Sequence, residues 1–276
     1  MMNKIATCAL LTLFATGAQA ATLTGFSTWE DGLVQIDTAT GNVTVIGGTY
    51  DPGLTNFIQG LAYDSNGVLW GIAASGSANT SIGTIDPSTG EYTLIGTDNV
   101  GTLSGAAFTP DDKLYSINTL GGPTDRIAEI NKTNAVPTDL VSTGVRVANG
   151  FAISGDGLFG YTIDVDGDNL LRYDFNLNTV TSIGQTTAGI SALTFHGSTL
   201  YATTDKNDGS TDLLLTIDPL TGLELSRVNL SLGVFANISA LAAVPDTPAI
   251  PIPAGGLLLL SGLGGLCIWR RRVIPT

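Results

Sequence analysis

Residues 60–96 read GLAYDSNGVLWGIAASGSANTSIGTIDPSTGEYTLIG, and this stretch decides the fold because its pattern returns along the chain. It opens on a small apolar phrase, Gly60-Leu61-Ala62-Tyr63, and after a polar turn continues with a second phrase, Leu69-Trp70-Gly71. A third phrase, Ile85-Asp86, leads into a turn and another strand-forming segment. Short apolar runs separated by turn residues are typical of hairpin-connected β-strands. The stretch therefore predicts four short strands.

The three phrases recur at a nearly constant spacing. The first phrase begins at five positions that are 45, 45, 42 and 48 residues apart, namely Gly60, Gly105, Gly150, Ala192 and Ala240. The second and third phrases return between them, and no long segment of helical periodicity interrupts the series. Four antiparallel strands in a period of 40 to 50 residues are the signature of a β-propeller blade.

The two ends of the repeat predict how the ring closes. The strand expected at residues 238–244 has no strands after it, and the segment Thr22 to Gly47 has no first phrase before it. Together they complete one blade. We therefore predict an all-β domain at residues 21–245, with five blades of four antiparallel strands and one blade shared by both ends. Six blades are the alternative, because the region around Gly25-Phe26 is irregular.

The aspartates of the third phrase are predicted to build turns. In Asp86-Pro87-Ser88-Thr89-Gly90, Pro presets the second turn position, Asp accepts backbone N–H bonds, and Gly supplies a positive φ. Residues 218–222, Asp-Pro-Leu-Thr-Gly, repeat the arrangement. Aromatic residues also recur at one place in the repeat, and we expect them to pack between blades, with sugar stacking as the alternative: Trp70, Tyr115, Phe159 and Tyr201.

Residues 1–20 predict a secretory signal peptide. Lys4 supplies a positive start, an apolar run extends from Ile5 to Phe14, and Ala18-Gln19-Ala20 has the small residues that signal peptidase accepts. The apolar run is too short to span a bilayer permanently. We expect cleavage after Ala20 and export of the mature chain; a buried N-terminal helix is the alternative.

The C-terminal residues predict a single transmembrane helix. Residues 254–269 contain no charge, and as a helix they would extend about 24 Å, a little less than the ~30 Å hydrocarbon core. Trp269 suits the membrane interface, and the cluster Arg270, Arg271 and Arg272 suits the cytoplasmic side. We therefore expect a Pro-rich linker at residues 246–253, followed by a membrane segment with an arginine tail at residues 254–276.

This tail resembles a known sorting signal. The motif Ile250, Pro251, Ile252, Pro253 and Ala254, with the Gly/Leu-rich stretch and the arginines after it, resembles the PEP-CTERM class of tails, in its variant written V-P-L-P-A. The resemblance implies processing by an exosortase-like protease. It also implies a precursor anchored in the inner membrane, then release or display at the cell surface or in the extracellular matrix of a Gram-negative-type bacterium. A plain anchor is the alternative. The repeating body resembles the YVTN/quinoprotein-like propellers.

Charge and cysteine usage limit the function of the body. All 24 acidic residues lie between the two ends with only seven of the 11 basic residues, which leaves a net charge near −17. Such a field repels nucleic acid and favours cations. The only cysteines, Cys8 and Cys267, lie in the ends. The body therefore contains neither a disulfide nor a thiol nucleophile.

Two Asp-rich segments are candidate Ca²⁺ sites, because this ion takes hard oxygen ligands from a chain that bends. Asp164, Asp166 and Asp168 alternate in the first segment, and Asp205 and Asn207 begin the second. Both are expected between the second and third strands of their blades, on one face of the propeller. The alternative is that long loops simply accumulate such residues. We expect both segments to lie away from the central channel.

The body has no familiar catalytic motif. His196 is the single histidine, and the sequence has neither a Gly-x-Ser-x-Gly elbow nor a phosphate-binding loop. The sequence therefore predicts a non-catalytic binding module for an extracellular protein or glycan. A passive structural component of the matrix is one alternative. A metal-assisted, lactonase-like hydrolase, with carboxylates converging on the channel, is the other.

Overall fold

A computed structural model describes residues 21–48, 57–75, 79–98, 102–119, 122–205, 211–232 and 236–245. These residues form twenty strands in five four-stranded antiparallel sheets, the blades of a β-propeller. The predicted five-bladed, all-β fold is confirmed, and the six-bladed alternative is wrong. The signal peptide, the sorting motif and the arginine tail lie outside the described residues. Within these ranges, no helix has the length and apolar character needed to cross a membrane.

The strands of each blade are named in their order in the sheet, from the central channel to the rim. Blade 1 contains β20 (Ile238–Ala243), β1 (Thr22–Ser27), β2 (Gly32–Asp37) and β3 (Val43–Gly48). Blade 2 contains β4 (Phe57–Tyr63), β5 (Leu69–Ser75), β6 (Asn79–Ile85) and β7 (Tyr92–Asp98). Blade 3 contains β8 (Leu103–Phe108), β9 (Leu114–Asn118), β10 (Arg126–Ile130) and β11 (Pro137–Ser142). Blade 4 contains β12 (Ala148–Ile153), β13 (Phe159–Asp164), β14 (Asn169–Asp174) and β15 (Thr179–Gln185). Blade 5 contains β16 (Ile190–His196), β17 (Thr199–Thr204), β18 (Leu213–Ile217) and β19 (Glu224–Asn229).

Blade 1 closes the ring as predicted. The C-terminal strand β20 pairs antiparallel with β1, so that Leu23 lies opposite Ala243 and Phe26 opposite Ala240. Phe26 is fully buried, and a single strand, β1, contains the Gly25-Phe26 region that favoured a sixth blade. Main-chain pairing thus joins the two ends of the propeller. The chain divides after Val244 into this unit and residues 245–276.

The aspartates of the third phrase build turns, as predicted. Asp37, Asp86 and Asp218 each accept backbone N–H bonds from residues two or three positions later. These bonds, together with side-chain hydroxyl bonds, hold the pKa of each carboxyl below its usual range. Gly90 and Gly222 have φ of 76° and 78°, which confirms the predicted left-handed turn position. None of these three carboxylates is therefore free for chemistry.

The hydrophobic core lies between the blades. Each of five clusters of buried side chains combines residues of two neighbouring blades; one such cluster joins Leu61 of blade 2 to Phe26 of blade 1. The repeated aromatics contribute as predicted: the rings of Trp70 and Phe108 meet edge-on across two blades at 6.0 Å, and those of Tyr115 and Phe175 at 5.0 Å. Burial between blades therefore holds the ring together.

Candidate functional site

A ring of polar residues surrounds one end of the central channel. Each lies immediately before the first phrase of its inner strand, and we call the five the mouth ring: Gln59, Ser104, Asn149, Ser191 and Ser239. At this place every inner strand carries one residue more than the strand beside it, which is a β-bulge. Bulges change the direction of a side chain and are common beside active sites. The same irregularity, repeated five times, thus marks the channel mouth.

The mouth opens into a polar cavity of about 320 Å³, which we call the mouth cavity. Its lining consists of four mouth-ring residues with one residue from each of two nearby loops: Gln59, Asn149, Ser191, Ser239, Thr28 and Asp205. The cavity at the other end of the channel is smaller, about 110 Å³, and the side chains there include Tyr63, Phe108 and Phe195. The side chains at the two ends therefore differ: polar side chains line the mouth cavity, whereas apolar and aromatic side chains predominate at the other end.

The serine hydroxyls of the mouth ring already donate hydrogen bonds. Ser239 Oγ donates to the Ile58 carbonyl of blade 2 at 2.6 Å, and Ser191 Oγ donates to the Ile238 carbonyl of blade 1 at 2.7 Å. Both bonds link neighbouring blades around the channel. A hydroxyl that donates to a main-chain carbonyl has no base to remove its proton. These two serines therefore link neighbouring blades, and they are not activated nucleophiles.

Two buried oxygens at the mouth cavity lack partners among the described residues, namely Gln59 Oε1 and Asp205 Oδ1. Burial raises the pKa of Asp205, and the negative charge of Asp212 raises it further. Asp212 itself is fully buried, and its Oδ2 accepts the Asn237 N–H at 2.8 Å. The Asp205 backbone is held by its own N–H, which donates to the Gly189 carbonyl at 2.8 Å. Asp205 is thus a fixed carboxylate with an unused acceptor.

The structure places the two groups of predicted Ca²⁺ ligands in different surroundings. Asp164, Asp166 and Asp168 lie at the β13–β14 turn, on the same face as the mouth, as expected for a connection between second and third strands. Asp166 Oδ2 faces Arg146 Nε at 3.6 Å. In the part of the chain that the structure describes, no group of three or more His, Cys, Asp or Glu side chains is placed to hold a metal. Ca²⁺ at this turn therefore stays a prediction without a preformed site.

The second Asp-rich segment corrects one expectation. We expected it to lie away from the channel, but Asp205 lines the mouth cavity because the chain after β17 is bonded back to Gly189, next to the inner strand β16. Asn207 lies outside the described residues. His196 ends β16 opposite Thr199, at the other end of the strand from Ser191, and does not line the mouth cavity.

The sequence contained a signal for the mouth ring that residue type alone did not reveal. Its members have the same 45, 45, 42 and 48 spacing as the first phrase, because each directly precedes it. A Gln, an Asn and three serines form no recognised motif. Their convergence needs the closed ring and the five bulges, and neither can be inferred from one blade alone.

Comparisons with known proteins support the fold. No family model and no curated protein matches the chain. Among solved structures, the chain is similar to one in a nidogen/laminin complex, with 14% identity, a TM-score of 0.55 and coverage of 82% of this chain and 98% of that one. It is also similar to the calcium-binding protein regucalcin from Agrobacterium tumefaciens, with 16% identity, a TM-score of 0.52 and coverage of 82% and 75%. A gluconolactonase from Xanthomonas campestris gives 14% identity, a TM-score of 0.50 and 78% coverage of each chain. The structural similarity supports a shared propeller architecture. At such low identities it carries no function over to this chain, so function has to be argued from the site.

Proposed function

We propose that this protein is an exported propeller that acts as a non-catalytic binding module, with the channel mouth as its binding surface. The observation that carries the proposal is the mouth cavity, which is lined by polar side chains; two of them, Gln59 and Asp205, each have a buried oxygen without a partner among the described residues. A buried polar atom without a partner costs about 1–3 kcal/mol, and a bound ligand can recover that loss. The bonded serines support binding over catalysis.

The ends of the chain place this module outside the cell in our proposal. The signal-like residues 1–20 support cleavage by signal peptidase after Ala20, and residues 250–272 support sorting by an exosortase-like protease. The precursor would be held in the inner membrane, and the mature propeller would reach the cell surface or matrix. There an extracellular protein or glycan with a suitable group would be its partner.

The test is a ligand screen with a blocked mouth as the control. Thr28 lines the cavity from an exposed position, so that Thr28→Trp fills the mouth without altering the core. Thr44→Trp makes the same change at an exposed position of the rim strand β3. Small polar ligands, including sugars, amino acids, polyols and amines, are tested for their effect on the melting temperature of all three proteins.

We expect at least one class to raise the melting temperature of the wild type and of Thr44→Trp, but not of Thr28→Trp. A ligand that stabilises all three proteins binds elsewhere and contradicts the proposal. If no class binds, the passive structural role is favoured instead. The hydrolase alternative has one supporting observation, the carboxylate of Asp205 in the cavity. Metal-dependent turnover of a lactone that Asp205→Asn abolishes would favour it.

A further inference from the structure

We propose that the mouth cavity binds a primary ammonium group through Asp205, either the free end of a small amine or a lysine side chain of a partner. The inference rests on the proposed function and names the ligand chemistry of the same site. It depends on three features of the cavity: its charge, the directions of its hydrogen bonds, and its size.

The charge of the cavity favours a cation. Asp205 is the one charged side chain among the described residues that line it, and its Oδ1 is buried without a partner. The neighbouring Asp212 carboxylate is fully buried and adds negative potential, while its Oδ2 is already used by the Asn237 N–H. The acidic body, with a net charge near −17, strengthens the same field. An anionic ligand is therefore repelled, and a neutral one leaves the charge of the carboxylate uncompensated.

The hydrogen bonds of the cavity favour a ligand that only donates. Ser191 and Ser239 line the cavity and use their hydroxyl protons on main-chain carbonyls, so that toward a ligand their oxygens can only accept. Gln59 Oε1 adds a further acceptor. The amide NH₂ groups of Gln59 and Asn149 are the donors of the lining, and neither carries a charge. A primary ammonium has three N–H donors and no acceptor, so it pairs with the serine oxygens, Gln59 Oε1 and Asp205.

The ligand set and the volume separate an ammonium from a metal ion. Ca²⁺ takes six to eight oxygens, commonly from several carboxylates, whereas Asp205 is the only carboxylate among the described residues that line this cavity. A volume of about 320 Å³ is at the lower limit of the 300 to 1,000 Å³ typical of ligand pockets. It therefore suits the end of a single flexible chain better than a large rigid ligand.

The test is titration calorimetry of the purified full chain at neutral pH and low ionic strength. The probes are pentane diamine, its fully N-methylated bis-quaternary analogue, pentanediol, CaCl₂, and a blocked glycine–lysine–glycine peptide. We expect the diamine to bind while the methylated analogue and the diol do not, because they lack either the N–H donors or the charge. Binding of the peptide as well would identify lysine side chains as ligands, and binding of the diamine alone would identify small amines.

Two variants with the same charge change make the test specific. Asp205→Asn should weaken diamine binding at least about tenfold, because it removes the charged partner of the ammonium. Asp166→Asn, on the same face but outside the cavity, should change affinity less than about twofold if contact rather than the overall field decides. The melting temperature of each variant confirms that it is folded.

Each contrary outcome overturns the inference. Binding of CaCl₂ but not of the diamine would assign the cavity to a metal ion. Binding of pentanediol that survives Asp205→Asn would assign it to neutral polyols. In both cases the proposed function still holds, because the mouth remains a binding surface. If Asp166→Asn weakens diamine binding as much as Asp205→Asn does, the overall negative charge of the domain attracts the diamine and contact with Asp205 does not. If no probe binds, the ammonium inference fails, and the Thr28→Trp screen decides the proposed function separately.

Discussion

Replacing Gly184 with Ala should destabilise the propeller, because this glycine lies where a turn of the next blade packs against an outer strand. A Cβ built on Gly184 of β15 would come closer than 3.0 Å to the main-chain oxygen of Thr221, a separation that real Cβ atoms almost never show. The Thr221 carbonyl belongs to the β18–β19 turn, in which the Gly222 N–H and the Thr221 hydroxyl both donate hydrogen bonds to Asp218. The turn therefore cannot easily move away.

A matched control sets the size of the effect. Gly155→Ala, in an exposed turn, would bring its Cβ no closer than 3.5 Å to Gly197 O. Gly→Ala substitutions at permissive sites stabilise by about 0.4–1 kcal/mol through the unfolded state. Both variants share that gain, so their difference isolates the clash, which for overpacking costs about 1–3 kcal/mol. At about 2–4 °C per kcal/mol, Gly184→Ala should melt about 2–12 °C below Gly155→Ala.

The repeat supplies an internal test of the same argument. Gly47 of β3 makes the equivalent approach to the Thr89 oxygen of blade 2, so that Gly47→Ala should be destabilised by a similar amount. Thermal and denaturant unfolding of the three variants would measure the differences. If Gly184→Ala and Gly47→Ala are both as stable as Gly155→Ala, the turn does not hold its neighbour in place, and the reasoning is refuted.

Three further predictions follow from the same structure. Asp125→Ala should cost about 1–3 kcal/mol because it leaves the buried Ala148 N–H without its 2.7 Å acceptor, whereas Asp125→Asn, which keeps an acceptor, should cost much less; urea unfolding compares them. Asp205→Asn should raise the melting temperature at neutral pH. Because burial raises the pKa of Asp205 in the folded state, ionisation of this carboxyl destabilises the fold. The gain in melting temperature should therefore be absent below the unfolded-state pKa and complete above the folded-state pKa. A gain that does not depend on pH would contradict this reasoning. If Ca²⁺ fills the Asp164–Asp168 turn at 100 times its Kd, it should add about 2.7 kcal/mol, and Asp166→Ala should abolish the shift in melting temperature; an unchanged melt with Ca²⁺ and with a chelator would contradict the site.

Much of the fold was predictable because its determinants are local. The turn of residues 86–90 follows from the chemistry of Asp, Pro and Gly in succession, and the structure places Gly90 at positive φ as expected. The pairing of β20 with β1 followed from a count, since one strand at the end matched one strand missing at the start. The roles predicted for the ends of the chain, cleavage after Ala20 and sorting through residues 250–254, remain predictions from sequence patterns.

The site was less predictable because it depends on direction and distance in space. Gln59 and Asn149 are 90 residues apart in sequence, and both line one cavity. The Asp-rich segments were found by composition, but composition did not separate Asp205, which lines the cavity, from Asp166, which faces Arg146 at the surface.

The sequence by itself determined the strands, the turns and the closure of the ring, and it favoured five blades over six, because hydrophobic alternation and turn chemistry act over a few residues and then repeat. Only the tertiary structure decided which polar groups meet at the channel and which of them lack partners. One extra residue in each inner strand re-aims a side chain, and the closed ring brings the five strands together. Gln59 from an inner strand and Asp205 from a loop meet at the mouth cavity, and each has a buried oxygen without a partner among the described residues.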